Sequence, residues 1–350
     1  MIITKYDNFE AAFLDILKQL LENGEKNIVR GVEVLEIGPV VFTITKPQER
    51  IYILSGRKNN IFGTIAETLW VLKGLDDLKY LSFYLPRVYD FSDDGMSWRG
   101  AYGPRLRNWY GIDQFKEIIR LLRADKNRSY AVMNIFDPAK DYVNSLDIPC
   151  NNWLHFRICD TKLHLNIASR SGDIIWGFSG INTFEWSVLQ EMVAYWTNTK
   201  IGHFTYFIST LKLYNWHYDR AKEILTNNSI TNKTLYDFNI SRPQFSTNFE
   251  KFDQTLDYCF TLENQIRNGI DKYREISKIN DEFLMNCLLM LDIYCKYRMK
   301  FPKHEIIDLI ESLPEKDFKI AAIDYFMHKK GFHNIKLNQN ESNFYKLRSF

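Results

Sequence analysis

Apolar residues recur at helical spacing through FEAAFLDILKQLL, residues 9 to 21, where Asn23-Gly24 supplies a stop. GVEVLEIGPVVFTIT then alternates or runs apolar with β-branched residues and predicts one or two strands. GTIAETLWVLKG, residues 63 to 74, predicts a short helix burying Ile65, Ala66, Leu69, Trp70 and Leu72, with Glu67 among them and Gly74 as cap. No clean period runs through LPRVYDFSDDGMSWRGAYGPRLRNWYG, a loop long enough to suggest function.

Helix and strand signals then interleave. DQFKEIIRLLRAD is amphipathic, and SYAVMNIF is an apolar strand. WLHFRI and KLHLNIA alternate and are joined by Cys159-Asp160-Thr161, which predicts a hairpin. FEWSVLQEMVAYW is a thick apolar helix, and HFTYFISTLKLYNW returns to strand. Beyond about residue 225 long helical stretches take over, and TNNSITNKT, residues 226 to 234, is the best linker candidate. The division expected is 1–225, a mixed helix-and-strand domain, and 226–350, mainly helical. Met285, Met290, Tyr294 and Tyr297 fall at helical spacing in the second part, a pattern that points to core more often than to an interface.

Bulk numbers narrow the class. The chain has 350 residues, 45% of them hydrophobic and 25% charged, enough to bury a sizeable core. Its 45 Lys+Arg against 43 Asp+Glu leave a net charge of +2, too little to gather nucleic acid or an anionic membrane. With no membrane-length apolar stretch and no leader pattern in MIITKYDNFEAAF, a soluble cytoplasmic protein is expected. Five cysteines, Cys150, Cys159, Cys259, Cys287 and Cys295, form no C-x-x-C pair, and the histidines show no metal spacing, so no metal is expected.

Chemistry enters at IPC, residues 148 to 150, and RSGD, residues 170 to 173. A hairpin between them brings its two far ends together, setting a thiol beside a guanidinium fork and a hydroxyl. Deprotonated cysteine is a strong nucleophile, and an Arg-Ser pair can clamp phosphate.

AETLWVLKG, the D-G followed by AYGPRLR, IPC, RSGD, GFSGIN with VLQEMVA, and LKLY stand in order across roughly residues 28 to 225. Together they resemble the thymidylate synthase and pyrimidine nucleotide (dCMP or CMP) hydroxymethylase superfamily. The resemblance implies an α+β (α/β layered) thymidylate-synthase-like fold whose large mixed sheet lies at a dimer interface, here with a helical C-terminal extension. It implies 5,10-methylenetetrahydrofolate as cosubstrate, a pyrimidine nucleoside monophosphate as substrate, and a homodimer, with no nucleic acid or membrane partner.

Roles follow by the same resemblance. Cys150 matches the nucleophile that adds to C6 of the pyrimidine. Glu67 matches the carboxylate that works through ordered water on the base and the folate methylene, and Tyr102 the tyrosine of the Y-G-x-x-x-R loop. Arg30, Arg170 and Ser171 match phosphate ligands, and Arg128 matches one lent by the partner subunit, with Ser129 where a second arginine is usual. Asp173 matches the pterin carboxylate, Tyr89 stands where an aromatic stacks near the folate methylene, and Lys212 and Tyr214 occupy the sugar-binding stretch. Asn182 matches the residue that reads the pyrimidine edge, its loop one residue longer than usual. An amide can serve uracil or, flipped, cytosine.

Departures bear on the reaction. Asn151 follows the nucleophile where synthases carry His, Lys212 replaces another His, and the chain ends in YKLRSF and not in a short apolar tail. These changes favour water over hydride as the final nucleophile. The expected function is therefore 5-hydroxymethylation of CMP, dCMP or dUMP. Reductive methylation of dUMP to dTMP is the alternative, and a non-catalytic nucleotide-binding or scaffold role stands third.

Overall fold

The computed structural model describes residues 1–228 and 233–348, so residues 229–232, the middle of the expected linker, lie outside the described residues. Two compact units are present: residues 1–50 with 66–222, and residues 51–65 with the chain from 223 onward.

The first unit carries ten strands: β1 Ile2–Tyr6, β2 Glu25–Val29, β3 Val32–Ile37, β4 Val40–Ile44, β5 Val132–Asn134, β6 Asn151–Cys159, β7 Lys162–Ser169, β8 Gly172–Asp173, β9 Lys200–Ile208 and β10 Leu211–Tyr214. Six form a mixed sheet in the order β1-β4-β9-β7-β6-β5, and four form a second sheet in the order β2-β3-β10-β8. The α+β class read from the sequence is the class observed.

Two apparent single runs each divide between the sheets. GVEVLEIGPVVFTIT breaks at Gly38-Pro39 into β3 and β4, and HFTYFISTLKLYNW breaks at Ser209-Thr210 into β9 and β10. The close approach of Gly38 fixes this corner, since a Cβ there would stand 2.1 Å from the carbonyl oxygen of Ser209.

The predicted hairpin forms as β6 and β7, turning at Asp160 and Thr161, both with positive φ, as a two-residue hairpin turn requires. Alternation sends Leu154, Phe156, Leu165 and Ile167 into the core against helix Thr183–Trp196. The opposite face carries Trp153, His155, Asn166, Ala168, Thr205 and Phe207; Phe207 and, at the sheet edge, Ile3 are exposed.

Helix Phe9–Asn23 is capped by Asn8, whose side chain accepts from the Ala11 N–H, and it buries Phe9, Phe13, Ile16, Leu17 and Leu20. Helix Ile61–Lys73 ends at Gly74, whose φ of +86° suits only glycine well.

The second unit is helical, with Phe249–Arg267, Glu282–Arg298, Asp317–Met327 and Gln339–Arg348 among its helices. Met290 and Tyr294 are buried, and Met285 and Tyr297 half-buried, so this stripe is core. Among the described residues no helix is long and apolar enough to cross a membrane.

Candidate active site

Hydrogen bonding locks the two ends of the β6–β7 hairpin together. The Arg170 N–H donates to the Cys150 carbonyl at 2.9 Å, and the Ser169 hydroxyl donates to the same oxygen at 2.9 Å. The Arg170 guanidinium donates to the carbonyls of Pro149 at 3.0 Å and Ile148 at 2.7 Å, and its third nitrogen to Ser171 Oγ at 3.0 Å. Ser171 Oγ lies 3.9 Å from Cys150 Sγ. The cationic fork therefore grips the segment that carries the thiol, and Cys150 remains partly open.

Asn151 is fully buried behind the thiol. Its amide donates to the Tyr102 hydroxyl at 2.8 Å and accepts from the Tyr206 hydroxyl. Burial, and the nearby Cys150 charge, hold both phenols protonated far above the usual tyrosine range. Tyr102 also packs its ring against Trp186, centroids 5.3 Å apart.

Glu67 sits mid-helix and only 7% exposed, so the apolar surroundings predicted for it are real. Burial, with a smaller push from Asp147, raises its carboxyl to about 8. Asp147 is itself raised by burial, although it accepts from the Gly100 N–H at 2.9 Å and feels Arg105 and Arg170. Glu185 is deeper still, and both its oxygens lack a hydrogen-bond partner among the described residues. Burial first, then the charge of Glu67, lifts it well above the carboxylate range.

Arg105, from the AYGPRLR stretch, is not a free cation for substrate. It is 1% exposed and holds Asp141 through two bonds of 2.7 Å, with the Ile135 carbonyl at 2.7 Å.

Asp173 accepts from the N–H groups of Ile175 at 2.7 Å and Trp176 at 2.9 Å, capping the helical segment it precedes. Burial raises it to about 6 against those two donors and Arg220. Ile174–Asn182 winds as a π-helix. Thr183 Oγ1 donates to the Phe178 carbonyl at 2.7 Å and Ser179 Oγ to that of Ile175 at 2.7 Å, satisfying acceptors along the wide turn. Asn182 ends the segment, partly exposed.

Tyr214 stacks on Trp216, centroids 4.7 Å apart, and burial with the Asp173 charge raises its phenol, Arg30 and Cys150 acting on it more weakly. Lys212 pairs with Glu36 at 3.3 Å. Arg30, at a positive-φ turn, donates to the Leu146 carbonyl at 2.7 Å. Arg128 pairs with Asp125 at 3.3 Å and donates to the Tyr130 hydroxyl at 3.0 Å, so its partners lie outside the candidate set. Tyr89 is 48% exposed, bonding Ser82 at 3.3 Å.

The thiol thus lies beside Ser171, with Arg170 bonded to the same hydroxyl, and its charge acts on Tyr102 and Tyr214; Glu185 acts on Tyr102, and Glu67 on Glu185. Sequence reasoning missed Glu185, Tyr206 and Asp147, and saw Asn151 only as a departure. A signal for Glu185 was present: an acidic residue inside the otherwise apolar FEWSVL.

The thymidylate synthase family model matches residues 11–266. Among curated proteins, the chain is 35% identical over 215 residues to a deoxyuridylate hydroxymethyltransferase of Delftia phage PhiW-14, covering 58% of this chain and 57% of that protein. It is 33% identical to the protein of the same description from Bacillus phage SP01, covering 58% and 56%. A third, from Pseudomonas phage M6, is 34% identical over 197 residues, covering 55% and 56%. The chain thus aligns with just over half the length of the curated relatives it matches.

Proposed function

The chain belongs to the thymidylate synthase family, and from that premise we propose that it is a one-carbon transferase that hydroxymethylates C5 of deoxyuridylate with methylenetetrahydrofolate. The observation that carries the reading is the partly open Cys150 thiol beside Ser171, its strand end clamped by Arg170, with a neutral carboxyl held in reserve at Glu67. The names of the phage relatives support uracil and deoxyribose as base and sugar.

Cys150 Sγ bonds to C6 of the pyrimidine, making C5 a carbon nucleophile, which splits a hard alkylation into easier steps. The Arg170-Ser171 pair offers a fork and a hydroxyl to the phosphate, joined by Arg30 and by Arg128 of a second copy. Asn182 offers one donor and one acceptor to the base edge, and Lys212 with Tyr214 lies toward the sugar. The buried Asn151 stiffens the strand end that carries the thiol by tying two phenols together.

The folate supplies a carbon at the oxidation level of formaldehyde when bound. The residues present fit such a group: Glu67 Oε2 is buried without a partner, Asp173 is a capping carboxyl raised by burial, and Tyr89 and Trp176 present exposed ring surface. Once the carbon is on C5 as an exocyclic methylene, water adds to it and gives the hydroxymethyl group.

A homodimer is part of the same reading. The open face of the six-stranded sheet, with Trp153, Ala168 and Phe207, is an apolar strip of the kind that a second copy covers.

Incubating the protein with methylenetetrahydrofolate and each of CMP, dCMP, UMP and dUMP, then weighing the products, tests the proposal. A hydroxymethyl product from dUMP is expected. A product that gains a methyl group and releases dihydrofolate would replace it with thymidylate synthesis, and absence of C5 tritium release from every nucleotide would point to a non-catalytic binding protein.

A further inference from the structure

Three carboxyl oxygens in the first unit are buried without any hydrogen-bond partner among the described residues: Oε2 of Glu67 and both oxygens of Glu185. Folded proteins rarely leave such atoms dry, because each unsatisfied polar group costs on the order of 1–3 kcal/mol. Glu185 is 2% exposed, one turn past Asn182 on the first turn of helix Thr183–Trp196, and its neighbour Trp186 packs on Tyr102. An acid at a helix start is normally an exposed partner of the helix dipole. Here it is buried with neither oxygen partnered among the described residues, an arrangement that purely structural packing would avoid.

The groups that bear on this carboxyl come from every side. Glu67 reaches it from helix Ile61–Lys73, and Glu185 in turn acts on Tyr102 from helix Tyr102–Arg107 and on Tyr206 from β9. Cys150 acts on the same two phenols, and Asp147 acts on Glu67. Two buried acids that feel each other's charge titrate as a pair, giving up one proton long before the second.

We propose that Glu185 is a positioning residue: with Glu67 it forms a proton-sharing carboxyl pair that fixes the water adding to the substrate's exocyclic methylene. This rests on the hydroxymethylation reading and assigns a residue that sets its final nucleophile. In the step served, the water oxygen bonds to the methylene carbon, the double-bond electrons move to C5 and O4, and the water proton passes to the pair. Those electrons then re-form the ring C5=C6 bond and expel the Cys150 thiolate from C6. The pair returns its proton to solvent, so hydrogen and charge balance.

The test uses the full chain and two readouts. Infrared titration of the free protein follows its buried carboxyl bands in the natural protein, Glu67→Gln and Glu185→Gln. Removing the Glu67 charge lowers the Glu185 midpoint by about one pH unit or more, the signature of coupling. An unchanged midpoint in Glu67→Gln overturns the proposal, and this measurement stands even if the Glu185 variants fail to fold. The second readout is kcat for hydroxymethyl product. Glu185→Asp, which keeps an exchangeable acid, retains more turnover than Glu185→Gln, which keeps only shape, and the Gln variant loses about 10-fold or more. The reverse order, expected of a packing role, overturns it. A natural protein that makes no hydroxymethyl product refutes the functional reading instead, and leaves the infrared coupling to be judged by itself.

Discussion

Both units pair buried charge, the sheet-bearing one through Arg105 with Asp141 and Arg50 with Glu191, but they part at one pair of acids. In the helical unit, Lys319 meets Glu341 at 3.3 Å, Lys296 meets Asp292 at 2.6 Å, and Arg267 meets Glu263 at 2.8 Å, each acid 3% exposed or less at its side chain. Asp281 caps its helix through the Leu284 N–H and accepts from Ser246, Thr247 and the Thr247 hydroxyl. In the sheet-bearing unit, Glu67 and Glu185 are buried with Oε2 of the first and both oxygens of the second unpartnered among the described residues, and the Glu67 charge raises Glu185. Matched charge holds a fold together, whereas unmatched charge is tolerated where a reaction will use it.

The contrast is broken most severely at the thiol. Cys150→Ala abolishes C5 tritium release by several orders of magnitude while dUMP binding, measured by calorimetry, stays within about 3-fold, because the other contacts come from different residues. A loss of binding in a folded variant would show that the sulfur also builds the pocket.

Removing one member of a matched pair has its cost in stability instead. Lys319→Ala removes the cation from Glu341, which keeps the Asn338 N–H at 2.8 Å, and destabilises the helical unit by about 3–5 kcal/mol, read as a drop in urea midpoint. A change below about 1 kcal/mol would mean the pair is not shielded from water.

Glu67→Gln sharpens the comparison through pH. The folded protein keeps Glu67 neutral up to about 8, whereas the unfolded chain ionises it near the ordinary carboxyl value. Its contribution is therefore intact below that ordinary value and is lost as pH climbs toward 8. The glutamine variant removes this loss, a difference on the order of 3 kcal/mol between urea unfolding at pH 5 and at pH 8. Identical pH dependence in both proteins would contradict a buried neutral acid.

Least affected is the exposed rim. Tyr89→Ala, half in solvent and held by one 3.3 Å contact, changes stability by less than about 0.5 kcal/mol and leaves dUMP binding alone, with any effect confined to the KM for the folate.

Much of the site was legible because it depends on local rules. Strict alternation through WLHFRI and KLHLNIA, with Asp160-Thr161 between, was enough to bring Arg170 back to Cys150. Apolar spacing set Glu67 among core residues, but on spacing alone an exposed helix acid was the commoner outcome, and it took the family resemblance to point to its burial. The features that escaped depend on distant partners. Nothing local says that β3 and β4, or β9 and β10, separate into different sheets, because a turn and a sheet corner share the same residues. Glu185 reads as an ordinary first-turn acid until the fold buries it within reach of the Glu67 charge. Nothing local says that Ile174–Asn182 winds as a π-helix, which the capping carboxylate of Asp173 and the hydroxyls of Ser179 and Thr183 brace along its length.

That widened winding makes the placement of the Asn182 amide discrete. Dropping a residue from Ile174–Asn182 would return the segment to ordinary α pitch, moving the downstream helix by about 1.5 Å along the axis and about 100° around it, with no intermediate setting on offer. Retuning the amide's aim by finer amounts has to be done by exchanging neighbouring side chains, so, on the proposal that Asn182 meets the base edge, substitutions that alter base choice should accumulate around this turn while its length stays fixed.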